Sequence, residues 1–262
     1  MKVAVMGAGA VGCYYGAMLA LAGHEVVLIG RAPFVDAVTQ NGLILEKGGE
    51  RLVAKVSASK DPSTIRGADI VMVCVKSGDT GEAGQQIAPH LASGCTVLSL
   101  QNGVSNAETL GQITGRPVLP VVVYVASRMN GLGVVRHEGR GDLELSGEGA
   151  EDIAGILNEA GVETRVSDDV MASLWGKLVV NCAINPLSAI TGLPYGKIAA
   201  QEGMPELMQN IAQEALAVAR AEGISVPDTE PYRSLWPDSI PRPRRISGAA
   251  SRPKSITSTG RS

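Results

Sequence analysis

The first half of the chain alternates short, uninterrupted apolar runs with longer segments of helical periodicity. Runs such as KVAVM at 2–6 and EVVLI at 25–29 lack the polar alternation of a half-exposed strand, so they predict strands buried on both faces. Because helical segments separate the strands, we expect a parallel sheet with right-handed crossovers. The predicted strands are Lys2–Met6, Glu25–Ile29, Ala68–Val75, Thr96–Leu100 and Pro117–Val123, and the predicted helices between them are Ala10–Leu21 and Thr80–Leu91.

The second half becomes mainly helical after one last strand-like stretch. Gly131–Ser146 is glycine-rich, and we interpret it as an antiparallel edge of the sheet. Beyond it, the periodicity predicts helices over Ala150–Ala160, Asp168–Asn185 and Met204–Glu222. An α/β half followed by an α half predicts two domains, with a boundary near residues 165–170.

The charged residues are distributed unevenly along the chain, which the net charge alone does not show. The 262 residues carry a formal net charge of −3, which argues against a general nucleic-acid binder. Residues 1–232 hold 16 basic and 25 acidic groups, whereas residues 233–262 hold seven basic groups and one acid. The segment from 240 onward has no Asp, Glu, Leu or Val, so it cannot bury enough apolar surface to offset its ordering entropy. We therefore expect 233–262 to be a basic, disordered tail.

Two features bear on the compartment. Val3–Gly23 is a run of 21 uncharged residues, but its density of glycines is typical of a turn and a close-packed helix rather than a membrane anchor. The four cysteines form no C-x-x-C pair and have apolar neighbours, which favours buried, reduced thiols. We therefore predict a cytoplasmic protein with no membrane partner and no metal site.

The segment GAGAVG at 7–12 is a G-x-G-x-x-G that directly follows a predicted strand and opens a predicted helix. In a dinucleotide site the first Gly permits the tight turn, and the second lets the pyrophosphate approach the backbone. The third permits close packing of helix and strand. The alternative is a tight strand-to-helix turn without a ligand. The predicted cofactor-binding residues of this motif are Gly7, Ala8, Gly9, Ala10, Val11 and Gly12.

The end of the second strand indicates which cofactor is bound. An NAD site usually places Asp or Glu there to hold the ribose 2′-hydroxyl, but this strand ends Leu28-Ile29-Gly30-Arg31. The planar fork of Arg31 suits a 2′-phosphate instead. We therefore predict NADP(H), the alternative being that Arg31 is an ordinary surface residue.

A polar stripe crosses an otherwise apolar helix at 174–187. Lys177, Asn181 and Asn185 recur every four residues and so share one helix face, and Pro186 is expected to end the helix. A buried lysine needs a partner or a lowered pKa, which is the setting of a catalytic lysine. The alternative is that Lys177 reaches solvent and the asparagines bond to neighbouring backbone.

Further candidates lie at the carboxyl ends of predicted strands, where open α/β sheets bind their ligands. Lys76 ends VCVK, and Gln101 and Asn102 follow the next strand. Asn102 could hydrogen-bond a nicotinamide ribose or a substrate. An ordinary turn is the alternative for each.

Taken together, these motifs resemble the ketopantoate reductases (2-dehydropantoate 2-reductases) over residues 1 to about 232. The resemblance rests on GAGAVG at 7–12, Arg31, VCVKS at 73–77, QNG at 101–103 and WGKLVVNCAINPLSAITG at 175–192. It implies an α/β fold with an N-terminal Rossmann-type parallel-sheet domain at 1–166 and a smaller all-α substrate domain, incomplete here, at 167–232. It also implies NADPH-dependent reduction of the 2-oxo acid ketopantoate to pantoate, on the route to pantothenate and coenzyme A, with a homodimer possible.

The resemblance also assigns roles to single residues. Lys177 corresponds to the general acid, Asn181 and Asn185 to substrate-binding residues, and Asn102 to a residue near both nicotinamide and substrate. Where family members often have Asn after a proline, this chain has Pro194-Tyr195-Gly196. A substrate contact is therefore expected to differ here, which leaves the 2-oxo acid open. The implied cofactor contacts are completed by Arg31, Lys76, Gln101 and Ala126.

The family continues with a serine-bearing stretch and a late motif like T-E-[IV]-D-x-[IL]-N-G, both absent here. Codons for residues 253–260, read one base earlier, allow Glu, Val, Asp, His, Ile, Asn and Gly in that order. We therefore hypothesise a shift of reading frame near 233–240. Two alternatives remain at this point: a basic appendage that binds an acidic partner, and an NADPH-binding protein with weak or no turnover.

Overall fold

The computed structural model describes residues 1–226. The expectation of a disordered basic tail, the reading-frame hypothesis and the last six residues of the predicted substrate domain lie outside the described residues. The described chain forms one mixed ten-stranded sheet with helices packed on it, followed by a smaller helical part.

The parallel half of the sheet is formed by strands buried on both faces. Five strands run parallel in the spatial order β7 (Thr96–Ser99), β6 (Ile70–Val73), β1 (Lys2–Met6), β2 (Glu25–Ile29) and β5 (Ser57–Ser59). The next strand along the chain, β8 (Val118–Met129), pairs parallel with β7. The predicted parallel sheet is confirmed, and both β1 and β2 have the predicted bounds.

The other half of the sheet is built around a long antiparallel pair. Strand β8 (Val118–Met129) pairs antiparallel with β9 (Val134–Leu145), as the glycine-rich stretch predicted. The expectation that this stretch lies at the edge is wrong, because β3 (Leu43–Lys47) adds parallel to β9 and β4 (Glu50–Ala54) forms the edge. A short strand, β10 (Thr164–Val166), also pairs with β9.

Helices cover the sheet where the apolar pattern placed them. Helix α1 (Ala10–Leu21) has the predicted bounds and packs into the larger of two core clusters beside the sheet. Two helices of this part, at 32–41 and 106–114, were not predicted from the sequence. The four cysteines are free thiols, two buried and two half-buried. The remaining helices of this part are α2 (Ala32–Asn41), α3 (Thr80–Ile87), α4 (Asn106–Thr114) and α5 (Ala150–Glu159).

Between β10 and residue 226, the structure describes three helices: α6 (Val170–Thr191), α7 (Tyr195–Ala199) and α8 (Met204–Ala221). The prediction that α6 ends before Pro186 is wrong, since the helix continues to Thr191. A proline inside a helix removes one backbone hydrogen bond. The chain leaves α6 at Gly192, whose left-handed φ of 68° caps the helix.

Helix α6 has the length and hydropathy of a membrane span, but half of its most apolar stretch is buried inside the fold. Its apolar side chains pack against α7 and α8 in a separate core cluster that includes Val180, Ala183 and Met208. The hydropathy of α6 is therefore that of a core helix. The domain boundaries at 166 and 232 stay predictions.

Candidate active site

The glycine motif forms a tight turn between β1 and α1. Gly7 has φ = 110°, a conformation that side chains rarely adopt, and the amides of Gly7 and Ala8 both donate to the Ile29 carbonyl. A Cβ on Gly12 would lie 2.3 Å from the Gly7 carbonyl oxygen, so α1 can pack this closely on β1 only through a glycine. The turn therefore has the geometry that the motif predicted.

The start of α1 fits a pyrophosphate group. The first amides of a helix have no partner within it, and the N-cap residue Gly9 provides no side-chain cap among the described residues. Gly9 is exposed, and a Cβ built on it would meet no described atom within 4 Å. Open space before uncapped amides at the positive end of a helix dipole suits a phosphate anion.

Arg31 lies at the position where a dinucleotide site distinguishes a ribose 2′-hydroxyl from a 2′-phosphate. It is exposed at the N-cap of α2, directly after β2. Gly30 lets this loop approach the glycine turn, because a Cβ there would lie 2.9 Å from the Ala8 Cβ. The loop that carries Arg31 thus lies beside the motif of 7–12.

Two loops at the carboxyl ends of β6 and β7 are joined by a buried hydrogen-bond network. The Gln101 amide donates to the Val75 carbonyl (3.1 Å) and to Thr80 Oγ1 (2.7 Å), and the Asn106 amide donates to the Asn102 carbonyl (2.8 Å). Gln101 is 5% exposed, and its amide donates both hydrogen bonds to groups within the protein. It therefore holds the two loops together. Thr80 and Asn106 were not among the residues predicted from the sequence.

The same network leaves two predicted ligand-binding side chains exposed. Lys76 and Asn102 both face solvent, one on each loop, and the Ser77 hydroxyl donates to the Asn102 carbonyl at 2.6 Å. A small cavity lined by Gln101, Gly103 and Leu174 lies between the second loop and α6. The strand ends and the helix that carries the polar stripe are therefore neighbours.

Lys177 is held against the long strand β8. Its ammonium donates to the Val123 carbonyl and lies 5.9 Å from the centre of the Tyr124 ring. Burial, and secondarily the positive charge of Arg140, lowers the pKa of Lys177 to about 8. A lysine with this pKa is mostly protonated at neutral pH and can still release its proton.

The other two members of the polar stripe lie further along α6. Asn181 is half-buried and Asn185 is exposed, so the stripe leads from the sheet towards solvent. The Tyr195 hydroxyl donates to Asn185 Oδ1 at 2.7 Å. Tyr195, the residue after Pro194, thus contacts the stripe directly.

Charged groups on β9 near Lys177 were missed by the sequence analysis. The Arg140 guanidinium lies 4.3 Å from the centre of the Tyr124 ring and forms an ion pair with Asp142 at 2.7 Å. The signal was present in the sequence, since Gly139 and Gly141 flank Arg140 inside a strand, a pattern typical of a β-bulge.

Glu144 joins the sheet to the first turns of α6. It is 2% exposed, and its carboxylate accepts from the Ser173 hydroxyl and from Arg165 Nη2, both at 2.6 Å. Burial alone would raise the pKa of Glu144, but hydrogen bonds from Ser173, Arg165 and Ser167 hold it below its ordinary value. Ser173 lies one turn before Lys177, so Glu144 fixes the start of the helix that presents the lysine.

We expect Glu144→Ala to lower the free energy of unfolding by about 2–3 kcal/mol, because Ser173 loses its acceptor while Arg165, at 65% exposure, regains water. Urea denaturation measures the change. The lowered pKa of Glu144 makes its stabilisation complete above the ordinary pKa of Glu and lost as the pH falls through the folded value. Glu138→Ala removes an exposed ion pair with Arg128 and is the control, expected to cost less than about 1 kcal/mol. Equal effects of the two substitutions would contradict the anchoring role of Glu144.

Comparison with known proteins gives two matches to family models. Residues 3–148 match the model described as ketopantoate reductase PanE/ApbA, and residues 169–250 match its C-terminal counterpart. The second match extends beyond residue 232, where the sequence resemblance was expected to stop. The second match begins one residue before α6, and residues 149–168 lie between the two matches.

Individual relatives agree with these matches. The chain is 33% identical over 255 residues to a 2-dehydropantoate 2-reductase of Mesorhizobium japonicum, covering 87% of this chain and 78% of the relative. A crystal structure of a PanE/ApbA family ketopantoate reductase from Ralstonia eutropha is 51% identical with a TM-score of 0.85, covering 90% of this chain and 79% of that one. A ternary structure of D-mandelate dehydrogenase with NADH and anilino(oxo)acetate is 25% identical with a TM-score of 0.82, covering 90% and 78%.

Proposed function

Because the chain belongs to the ketopantoate reductase family, we propose that it reduces 2-dehydropantoate to (R)-pantoate with NADPH. The observation that carries the proposal is Lys177, held on β8 with its pKa lowered to about 8 and placed on a helix next to the strand-end loops of a dinucleotide fold. The relatives named 2-dehydropantoate 2-reductase support the substrate.

Lys177 performs the proton chemistry of the proposed reaction. When bound, NADPH supplies the hydride that adds to the ketone carbon. Negative charge then develops on the carbonyl oxygen, and the Lys177 ammonium stabilises that charge and donates its proton to the oxygen. The asparagine side chains of 181 and 185 orient the substrate along α6, and Asn102 hydrogen-bonds from the strand-end loop.

The cofactor site follows from the turn described above. The α1 amides bind the pyrophosphate, Arg31 binds the 2′-phosphate, and Lys76 and Ala126 contact the remaining parts of the nucleotide. The D-mandelate dehydrogenase structure contains NADH, so a nicotinamide cofactor is common to similar folds and the 2′-phosphate preference depends on Arg31. An exposed arginine after β2, where an acidic residue would hold a free 2′-hydroxyl, supports NADPH.

We expect Arg31→Ala to raise the KM for NADPH about 10- to 100-fold and to leave the KM for NADH within about twofold. The reason is that a charge-assisted bond to the 2′-phosphate contributes roughly 1.5–3 kcal/mol and exists only with NADPH. Steady-state kinetics with both cofactors measures the ratio. Arg51→Ala, an exposed arginine on the edge strand β4, is the control. An equal loss with both cofactors would contradict the assignment.

The pH profile tests the lysine directly. Since the protonated form donates, kcat/KM is expected to be level below pH 8 and to fall about tenfold per pH unit above it. NADPH affinity measured by fluorescence at each pH separates this effect from loss of cofactor. A profile that stays level to pH 10 would exclude Lys177 as the acid.

The proposal as a whole is tested by following NADPH oxidation with 2-dehydropantoate, beside a direct NADPH binding titration. Turnover supports the proposed reaction. Binding without turnover would instead favour the alternative of an NADPH-binding protein, and turnover only with other 2-oxo acids would correct the substrate. A small-molecule substrate, no nucleic-acid or membrane partner, a cytoplasmic location and a homodimer are parts of the same proposal.

A further inference from the structure

Arg140 occupies an unusual position on β9. Opposite it, in register, is Val125, and the strand pair has one irregularity between Tyr124 and Val125 and another between Ala126 and Ser127. Its φ is 54°, which makes it the single non-glycine residue with positive φ among residues 1–226. Backbone strain of this kind persists only where the surroundings hold it in place.

Several contacts hold the bulge from the side of helix α1. The Tyr15 hydroxyl donates to the Gly141 carbonyl at 3.3 Å, and the Gly141 Cα faces Tyr14 so closely that a Cβ would lie 2.6 Å from its hydroxyl. The His137 ring stacks on Tyr14 with centroids 4.9 Å apart and contacts the Arg140 carbonyl. The backbone is thus fixed, and the side chain of Arg140 is turned to the other face.

That face is the one that α6 covers. Tyr124 belongs to a cluster with Val170 and Leu174 of α6. The centre of its ring lies 4.3 Å from the Arg140 guanidinium and 5.9 Å from the Lys177 ammonium. The two cations are therefore close enough for Arg140 to lower the pKa of Lys177. On β8, Val125 pairs with Arg140. It lies between Val123, whose carbonyl accepts a hydrogen bond from Lys177, and Ala126, which is proposed to contact the cofactor.

A second cation near the proton donor suits a 2-oxo acid. Its carboxylate is bonded to the ketone carbon, so an oxygen bound by Lys177 places the carboxylate in the immediate neighbourhood. Asp142 contacts the Nε and Nη2 atoms of Arg140, at 3.1 and 2.7 Å. The Nη1 end of the guanidinium fork is directed away from that pair and has the donor geometry that a carboxylate accepts.

We propose that Arg140 binds the substrate carboxylate and thereby restricts the enzyme to free 2-oxo acids over their esters and lactones. This inference rests on the proposed function. In the proposed arrangement, the ion pair with Asp142 and the strained backbone fix the direction of the Arg140 guanidinium. Its contact is with the carboxylate, whereas Lys177 contacts the ketone oxygen.

The test compares two substrates in the Arg140→Asn variant of the full chain. Asn removes the guanidinium but adopts left-handed backbone readily, so the bulge is kept. The expected result is a 10- to 100-fold rise in KM for 2-dehydropantoate. For its lactone, in which the carboxylate is esterified by the molecule's own hydroxyl, kcat/KM changes less than about threefold. The affinity for NADPH, measured by titration, stays the same.

Arg136→Asn is the matched control. Arg136 lies on the same strand and forms an ion pair with Glu46 at 2.7 Å, but it has no contact with Tyr124 in the described part of the chain. Its substitution is expected to leave both substrates unaffected. A parallel loss with acid and lactone in Arg140→Asn, or no loss with the acid, overturns the proposal.

The inference and the proposed function fail in different ways. If the wild-type chain oxidises no NADPH with 2-dehydropantoate, the proposed reaction is wrong. Calorimetric binding of 2-dehydropantoate in the presence of NADP⁺ then decides the role of Arg140. Binding that is lost in Arg140→Asn and kept in Arg136→Asn supports the role, and binding that is absent in the wild type or equal in both variants overturns it.

Discussion

Lys177→Ala is expected to lower kcat with 2-dehydropantoate about a thousandfold while the affinity for NADPH stays within about twofold. In the proposed reaction the lysine supplies both the proton and the charge that stabilises the developing oxyanion, and contributions of this kind reach 10²- to 10⁴-fold. No contact of Lys177 in the described structure reaches the glycine turn that is proposed to bind the pyrophosphate. Stopped-flow kinetics gives kcat, and fluorescence titration gives the cofactor Kd.

A matched lysine separates the chemistry from general effects of charge. Lys197 lies in α7 of the same helical part and is exposed, so Lys197→Ala removes a positive charge without touching β8. The Lys197→Ala variant should keep the wild-type kcat. Wild-type turnover in Lys177→Ala would remove the lysine from the mechanism, and an equal fall in both variants would assign the effect to folding or net charge.

Gly12→Ala is expected to destabilise the fold by about 3 kcal/mol or more and to abolish measurable NADPH binding. The added Cβ would lie 2.3 Å from the Gly7 carbonyl oxygen and 2.8 Å from Val5 Cγ1, and neither backbone nor buried strand can move without opening the turn. Urea denaturation measures the stability, and titration measures the binding. Wild-type stability would show that the turn is looser than the structure indicates.

Gly9→Ala tests the same motif for its ligand rather than for its packing. Its Cβ would enter space that no described atom fills within 4 Å, so the fold should lose less than about 1 kcal/mol. The same space is where the pyrophosphate is proposed to lie, so NADPH affinity should fall roughly 10- to 100-fold. Unchanged affinity in Gly9→Ala would move the cofactor away from the start of α1.

The sequence predicted the elements whose pattern is local. Strands β1 and β2 and helix α1 have the predicted bounds, because each is a continuous apolar run between turn residues. The hairpin of β3 and β4 was missed, since four of its ten residues are charged and seven are half-buried or exposed. Its pairing with β9 involves residues about ninety positions apart, which no local periodicity encodes.

The residues of the candidate site likewise divide into those that local spacing predicts and those whose contacts depend on the tertiary structure. The glycine motif, Arg31 and the stripe of Lys177, Asn181 and Asn185 could be found from spacing alone, because one turn or one helix carries each of them. The contact of Gln101 with the cofactor stays a prediction, and only the structure shows that its amide joins two loops. A side chain's partners depend on which loops meet, and the sequence of one loop does not specify them.

What the sequence by itself determined is a dinucleotide turn, the parallel strands beside it and a polar face on an apolar helix, all of which depend on neighbours within one or two turns of chain. The tertiary structure alone decided what that polar face meets. Lys177 contacts a carbonyl 54 residues away, and the bulge that brings Arg140 to the same tyrosine ring depends on the register of two long strands. Register and docking are set by the packing of whole elements, so the surroundings of the lysine emerge only when the sheet and α6 come together.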